Sequence, residues 1–137
     1  MEVNKQYIAL YAKADSTKEE QIKLLEKYYR QTLKSEIDRL LPIWQAKIFI
    51  PERYGVKRMK IKWGSCNTQS KAIWLNLELI KKPHACLEYI LVHELVHLLE
   101  RHHNARFKAY MDEFLPNWQE TRDLLNSLKL SEEKWDY

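Results

Sequence analysis

Two histidines and a glutamate form the pattern His93-Glu94-x-x-His97, with the histidines four residues apart. On an α-helix, residues i and i+4 project from the same side, so both imidazoles can reach one metal ion. Zinc accepts neutral imidazole nitrogen and lowers the pKa of its bound water to about 7. Glu94, rotated by about 100° from His93, would take the proton of that water. The pattern therefore predicts metal-assisted hydrolysis of an amide.

The helix that carries this pattern is predicted to span about residues 84–100 and to be buried. Pro83 suits its first turn, and apolar residues cover nearly its whole circumference. These residues are Leu87, Ile90, Leu91, Val92, Leu95, Val96, Leu98 and Leu99. A buried helix gains nothing from three ionisable groups unless they are paired or bound to metal. Burial therefore favours the metal site over a chance occurrence.

A catalytic zinc ion takes three protein ligands and leaves one position open. His103 is the first choice for the third ligand, followed by His102 and then by Glu100, which lies at i+7 from His93 on the same helix face. On a continuous helix His103 would lie about 15 Å from His93 along the axis. The helix must therefore break near residues 99–102, where no glycine eases the turn and Arg101 or His102 would absorb the backbone change.

The other reactive side chains show no spacing typical of a site. Cys66 and Cys86, the only cysteines, lack zinc-ligand spacing relative to each other, and nothing links either one to a base. Two thiols without a secretion signal predict reduced cysteines in a reducing compartment. His84 is predicted to be a surface residue.

Composition predicts one globular domain over residues 1–137. Apolar residues make up 45% and aromatic residues 12% of the chain, and only two residues are glycine, which argues against a phosphate-binding loop. The net charge is +4, from 23 basic and 19 acidic residues, and ordinary solubility charge explains it best. No window approaches the ~20 apolar residues of a membrane span. A soluble cytoplasmic protein is therefore expected.

The first third of the chain predicts a short strand over residues 6–12 and then a long amphipathic helix. Ser16 and Glu19 fit a capping box at the start of the helix, and Pro42 is expected to kink or end it. An apolar stripe at i, i+3 and i+4 spacing defines the helix. The stripe consists of Ile22, Leu25, Tyr29, Leu33, Ile37, Leu40 and Trp44.

Two strands are predicted in the middle of the chain. Pro51 and Gly55 predict a loop, residues 56–63 alternate as a half-buried strand, and residues 64–70 form a turn. Residues 72–77 form the second strand, antiparallel to the first. The first strand has a basic face of Arg58, Lys60 and Lys62 and an apolar face of Met59, Ile61 and Trp63.

Two shorter helices are predicted after the metal-binding segment. Asn104 can cap a helix over about residues 105–115, and Asn117 can cap another over about residues 118–129. The polar tail over residues 131–137 is expected to be loosely held.

Together these motifs resemble the YgjP-like metallopeptidases, which are related to SprT-like proteins and to minimal gluzincins. The resemblance covers about residue 16 to residue 125. It rests on the run Arg58-Met59-Lys60-Ile61-Lys62-Trp63-Gly64-Ser65-Cys66, the segment Ile73-Trp74-Leu75-Asn76, Tyr89, the segment His93-Glu94-Leu95-Val96-His97, His103 and Phe107. This combination is far more specific than the helix motif alone.

The resemblance implies a zincin-like α+β fold and a peptidase activity on a peptide or protein substrate. The expected architecture is a small sheet with antiparallel pairing, packed on a long N-terminal helix and a buried active-site helix, with further helices at the C-terminus. The resemblance also implies zinc ligands at His93, His97 and His103, with Glu94 as base. In zincins an upper strand pairs with the extended substrate, and by position that strand is 72–77.

Two other functions compete with a zinc endopeptidase. A nucleic-acid-associated protease is weakly supported by the basic strand face and the net charge, and a non-catalytic zinc module is disfavoured because a structural site needs no Glu94. Neither hypothesis involves a membrane. Tyr110 and Arg106, after the third ligand, are candidate stabilisers of the tetrahedral oxyanion.

Overall fold

The computed structural model describes residues 17–48 and 51–128, so the predicted strand 6–12 and the tail 131–137 lie outside the described residues. Within them the protein has the predicted α+β architecture, with four α-helices and one three-stranded sheet. The elements in chain order are α1 (Lys18–Gln45), β1 (Arg53–Lys57), β2 (Gly64–Asn67), β3 (Ala72–Asn76), a 3-10 helix (Leu77–Lys81), α2 (His84–Val96), α3 (Ala105–Phe114) and α4 (Trp118–Ser127).

Helix α1 begins with a different cap from the predicted one. Thr17 is the N-cap, and its hydroxyl accepts a hydrogen bond from the backbone N–H of Glu20 at 3.1 Å. The pair has the same spacing as the predicted Ser16 and Glu19, one residue later along the chain.

Of the two effects expected of Pro42, a kink or an end of α1, the end is wrong, because the helix continues to Gln45. Pro42 lies in the last turn, so only one backbone bond, to the carbonyl of Asp38, is lost. Both residues are exposed, and water can satisfy that carbonyl. The apolar stripe of α1 is buried from Tyr29 to Trp44, which packs the helix on the sheet side of the core.

The sheet has the order β1-β3-β2. Strand β3 is central; it pairs with β1 in parallel and with β2 in antiparallel orientation. The expected antiparallel pairing of the predicted strands 56–63 and 72–77 is therefore wrong, because β1, which overlaps the former, pairs with β3 in parallel. The chain leaves β1, crosses to the opposite edge to form β2, and returns through a tight turn into the middle of the sheet.

The predicted strand over residues 56–63 is also wrong. Strand β1 ends at Lys57 and includes Gly55, which was expected in a loop, whereas residues 58–63 form an irregular loop. The alternating pattern does not set burial here: Trp63 is 3% exposed, but Ile61 is 50% exposed.

Asn76 explains why the loop of residues 58–63 is stable without strand pairing. Its side-chain amide is fully buried and donates hydrogen bonds to the carbonyls of Met59 at 2.9 Å and Lys62 at 2.8 Å. Its backbone N–H donates to the carbonyl of Trp63 at 2.9 Å. A single buried side chain thus satisfies backbone groups that a β-ladder would otherwise satisfy.

The predicted turn over residues 64–70 is shifted, since residues 64–67 form β2 and the turn occupies residues 68–71. The side-chain oxygen of Asn67 accepts hydrogen bonds from the backbone N–H groups of Gln69 and Ser70. Lys71 closes the turn with φ at 55°. This local Asx geometry returns the chain into β3.

Helix α2 is buried from Tyr89 to Val96 and packs against β2 and β3, as its apolar sequence predicts. Among the later helices, Asn104 caps α3 as predicted, accepting a hydrogen bond from the backbone N–H of Phe107 at 3.0 Å. Asn117 precedes α4 but makes no side-chain cap bond. None of the described helices combines the length and the apolarity needed to cross a membrane.

Candidate active site

Three imidazoles converge beneath the sheet. His93, His97 and His103 each contribute a ring nitrogen, and these nitrogens all lie within 4.8 Å of one another. The Nε2 atoms of His97 and His103 are 2.8 Å apart. The ring of His93 lies 4.9 Å from that of His97 and 5.2 Å from that of His103, measured between centroids. The structure therefore brings together the three residues predicted to hold a metal.

His103 reaches the cluster because α2 ends at Val96 and the chain then folds back. The backbone N–H of Glu100 donates to the carbonyl of Val96 at 2.9 Å, which closes the first turn of the reversal. The carboxylate of Glu100 accepts hydrogen bonds from the backbone N–H of His102 at 3.3 Å and from the side chain of Asn104 at 3.1 Å. Glu100 thus holds the loop.

The predicted helix break is present but begins earlier than residues 99–102, directly after Val96. Neither Arg101 nor His102 adopts a left-handed conformation, since Lys71 is the only described non-glycine residue with positive φ. The change of direction is spread over several residues, which explains why a turn without glycine is tolerated.

The loop also orients His97. The Nδ1–H of His97 donates to the backbone carbonyl of Glu100 at 3.3 Å, and this tautomer leaves the lone pair of Nε2 directed at His103. His102, the first rival of His103 as third ligand, is exposed and does not belong to the cluster.

Phe107 forms an apolar wall for all three imidazoles. Its ring is 1% exposed and lies 4.9 Å from His93, 4.7 Å from His97 and 4.9 Å from His103, between centroids. The cap at Asn104 fixes the first turn of α3 and so positions this ring. Sequence reasoning noted Phe107 only through the family resemblance, since one aromatic residue on a short helix carries no signal of its own.

His93 and His97 are held in the neutral form that a metal ligand requires. Burial and the neighbouring His97 and His103 hold the pKa of His93 well below its ordinary value. Burial also lowers the pKa of His97, although the carbonyl of Glu100 opposes the shift.

Glu94 lies beside the cluster and is 1% exposed. Its Oε2 atom has no hydrogen-bond partner among the described residues. Burial raises the pKa of Glu94 to about 8, and the positive charge of Lys62 opposes this shift. A buried carboxyl with an unpartnered oxygen lowers the stability of the fold, and such groups are concentrated at functional sites.

A cleft of about 650 Å³ opens over these groups. Its helical wall is formed by His93 and Glu94 of α2 and by His97 at the end of that helix. Its strand wall is formed by Ile61 and Lys62 of the loop 58–63 together with β2, and Arg101 and His103 also line the cleft. The exposed charged residues that line the cleft, Lys62 and Arg101, are both cationic.

The candidate oxyanion stabilisers do not line this cleft. Arg106 instead donates a hydrogen bond to the hydroxyl of Tyr110 at 3.3 Å. Sequence reasoning did not assign Arg101, Thr68 or Gln69 to the site, although all three line the cleft. His84 is exposed, as predicted, with Nδ1 at 3.6 Å from a carboxylate oxygen of Glu36.

Neither cysteine is poised as a nucleophile. Cys86 is fully buried and Cys66 lines the cleft. Burial and the nearby Glu94 raise the pKa of the Cys66 thiol to about 12, and burial raises the pKa of Cys86. Both are therefore thiols at neutral pH.

The predicted basic face does not exist as a continuous surface. Arg58 forms ion pairs with Glu26 and Glu78, whereas Lys62 lines the cleft. The three cations share no strand face because residues 58–63 are not a strand.

An α+β fold that buries a His-Glu-x-x-His helix against a small mixed sheet defines the zincin-like metallopeptidases. The family model described as YgjP-like, metallopeptidase domain, matches residues 1–128. The chain belongs to this family and is a hydrolase of peptide bonds.

Two crystal structures of metallopeptidase zymogens are similar to this chain. Abylysin of Pyrococcus abyssi is 18% identical with a TM-score of 0.53, over 73% of this chain and 93% of its own. Jannalysin of Methanocaldococcus jannaschii is 21% identical with a TM-score of 0.54, over 71% of this chain and 97% of its own. At this identity the likeness shows the fold. A comparison with curated proteins gives no match.

Proposed function

We propose that the protein is a zinc-dependent peptidase in which His93, His97 and His103 hold the ion and Glu94 is the general base. The observation that carries this proposal is the cluster of three imidazole nitrogens within 4.8 Å, at the base of an open cleft and beside a buried carboxyl. Three neutral imidazoles are a donor set that suits zinc with one position left open.

Zinc would supply a polarised substrate carbonyl and a water of lowered pKa. The residues of the chain do the rest. Cation binding at the three histidines favours the ionised form of Glu94, against the effect of its burial. Glu94 then accepts the proton of the attacking water and delivers it to the amine of the leaving peptide, so that its carboxylate is regenerated in each turnover.

The strand that offers a backbone edge to an extended substrate is β2. The predicted strand, 72–77, corresponds to β3, whose two edges are occupied by β1 and β2. Strand β2 pairs only with β3 among the described strands, and its residues Gly64–Asn67 line the cleft opposite the histidines. This supports binding of substrate by strand addition to β2.

The test compares wild-type protein with Glu94→Gln for bound zinc and for hydrolysis of an unfolded protein. Both should contain about one zinc per chain, since the three histidines are intact. Hydrolysis by Glu94→Gln should fall by about 10²–10⁴-fold, the usual cost of removing a positioned base. Substoichiometric zinc in freshly purified protein would contradict the metal site. Equal hydrolysis by the two proteins would contradict the role of Glu94.

A further inference from the structure

Gly64 is the first residue of β2 and lies against Glu94. A β-carbon placed on Gly64 would be 2.8 Å from Oε2 of Glu94, 3.1 Å from its Cγ and 2.8 Å from Cγ2 of Ile90. Real β-carbons do not approach other heavy atoms this closely. An alanine at position 64 would therefore displace the carboxylate, the backbone of β2, or the side chain of Ile90.

Backbone conformation does not account for this glycine, because neither glycine of the described chain has positive φ. The close approach to Glu94 accounts for it. Gly55 provides a contrast: its β-carbon would be 2.3 Å from the ring of Trp74, which is partly exposed and lies in the sheet away from the cleft lining.

The backbone at Gly64 is fixed by its pairing with β3. Gly64 pairs with Leu75 in the sheet, and the preceding carbonyl, of Trp63, accepts a hydrogen bond from the N–H of Asn76 at 2.9 Å. Leu75 and Asn76 are fully buried. Retreat of β2 would break this pairing, so a side chain at position 64 acts mainly on Glu94 and Ile90.

We propose that Gly64 is a positioning residue whose missing side chain sets where the Glu94 carboxylate lies in the cleft. The inference rests on the proposed function of Glu94 and goes beyond it. Gly64 does not touch the metal or the reacting atoms. Because the pairing of β2 with β3 holds the strand in place, a side chain at position 64 should alter the chemical step more than substrate binding.

The test is Gly64→Ala, with Gly55→Ala as the matched control. Both variants introduce a crowded β-carbon into the sheet, but only the first contacts Glu94. For Gly64→Ala we expect zinc content equal to wild type, KM within about twofold, and kcat lower by about 10–100-fold, because small misplacements of a catalytic group are this costly. Gly55→Ala, corrected for its folded fraction, should keep the kcat of wild type.

A double-mutant cycle with Glu94→Ala adds a readout that a general loss of structure would not produce. This truncation removes both Oε2 and Cγ, the Glu94 atoms that a β-carbon at position 64 would meet, so Gly64→Ala should lower the residual hydrolysis much less in this background than in wild type. Equal losses in both backgrounds would overturn the inference. A kcat for Gly64→Ala equal to that of Gly55→Ala would also overturn it.

If Gly64→Ala does not fold, Ile90→Ala is added to it. This second substitution removes the other close atom and leaves the contact with Glu94. The double variant should fold, bind zinc and still show the low kcat, whereas a kcat equal to that of Ile90→Ala alone would overturn the inference. If wild type and Glu94→Gln hydrolyse equally, the proposed function itself has failed. If wild type is active and Glu94→Gln is inactive, a failed prediction for Gly64→Ala contradicts only the role of Gly64.

Discussion

The two walls of the cleft differ in how far their side chains are exposed to solvent. On the helical wall, His93 and Glu94 are each 1% exposed and are packed among apolar side chains. On the strand wall, Ile61 is 50% exposed and Lys62 is exposed, while the backbone edge of β2 faces the cleft. Burial shifts the pKa values of His93 and Glu94 strongly, whereas Ile61 and Lys62 at the rim of the strand wall remain solvated.

This difference separates the roles of the two walls. Desolvated groups interact strongly with a cation or with each other, so they carry the chemistry. Solvated side chains contribute weakly to binding and catalysis. The strand wall therefore acts through the backbone of β2 and through the position of the loop 58–63. Changes to the helical wall should therefore be severe, and changes to the rim of the strand wall should be mild.

The largest effect is expected at the third histidine. His103→Ala should lower zinc affinity by more than the roughly 10–100-fold that is typical of losing an outer-shell partner, because a nitrogen donor of the cluster is removed. His102→Ala is the matched control, since this neighbour is exposed and outside the cluster. Competition with a chelator measures both affinities. Tighter zinc binding by His103→Ala than by His102→Ala would show that His103 is not the third ligand.

The next largest effect is expected at Asn76, which holds the loop 58–63 of the strand wall. Asn76→Asp keeps the shape of the side chain but turns an oxygen towards the carbonyls of Met59 and Lys62. We expect a loss of about 3–5 kcal/mol in the free energy of unfolding, because a buried donor becomes a buried acceptor or charge. Urea unfolding measures the change.

Asn67→Asp is the control for this substitution, because Asn67 acts as an acceptor for Gln69 and Ser70. An aspartate retains that role, so its stability should stay within about 0.5 kcal/mol of wild type. Similar losses at positions 67 and 76 would refute the assignment of Asn76 as the residue that holds the loop.

A smaller effect is expected in the pH dependence of the metal-free protein. Burial raises the pKa of Glu94 from 4.5 to about 8, so the folded protein binds this proton more tightly than the unfolded chain does. The resulting stability is complete below about pH 4.5 and is lost as pH rises towards 8. Relative to Glu94→Gln, wild type should lose roughly 2 kcal/mol between pH 5 and pH 7. Parallel stability curves for the two proteins would show that the carboxyl is not desolvated.

The smallest effect is expected at the rim. Lys62→Glu replaces a cation that lines the cleft, and it should raise KM for acidic peptides by a few fold, an energy below about 1 kcal/mol. Lys60→Glu is the control, since Lys60 belongs to the same loop but does not line the cleft. Steady-state kinetics at low and high salt measure the difference, which salt should reduce. Equal KM changes in the two variants would assign the effect to net charge.

Some features of the fold could be predicted from residues close together in the sequence, and others could not. The buried helix α2 and the cap at Asn104 were predicted correctly, because helix periodicity and capping depend on residues a few positions apart. The alternation over residues 56–63 led to a wrong strand. There the carbonyls of Met59 and Lys62 are satisfied by Asn76, more than a dozen residues away, and no local pattern records such a partner.

The sequence by itself determined that His93, Glu94 and His97 share one buried helix, since their spacing and their apolar neighbours depend only on helical geometry. Only the tertiary structure decided that His103 joins them, through a reversal held by Glu100. It also decided that β2, and not β3, borders the cleft, and that Gly64 abuts Glu94. Strand order and close approach depend on contacts between distant segments, and chain spacing does not specify them.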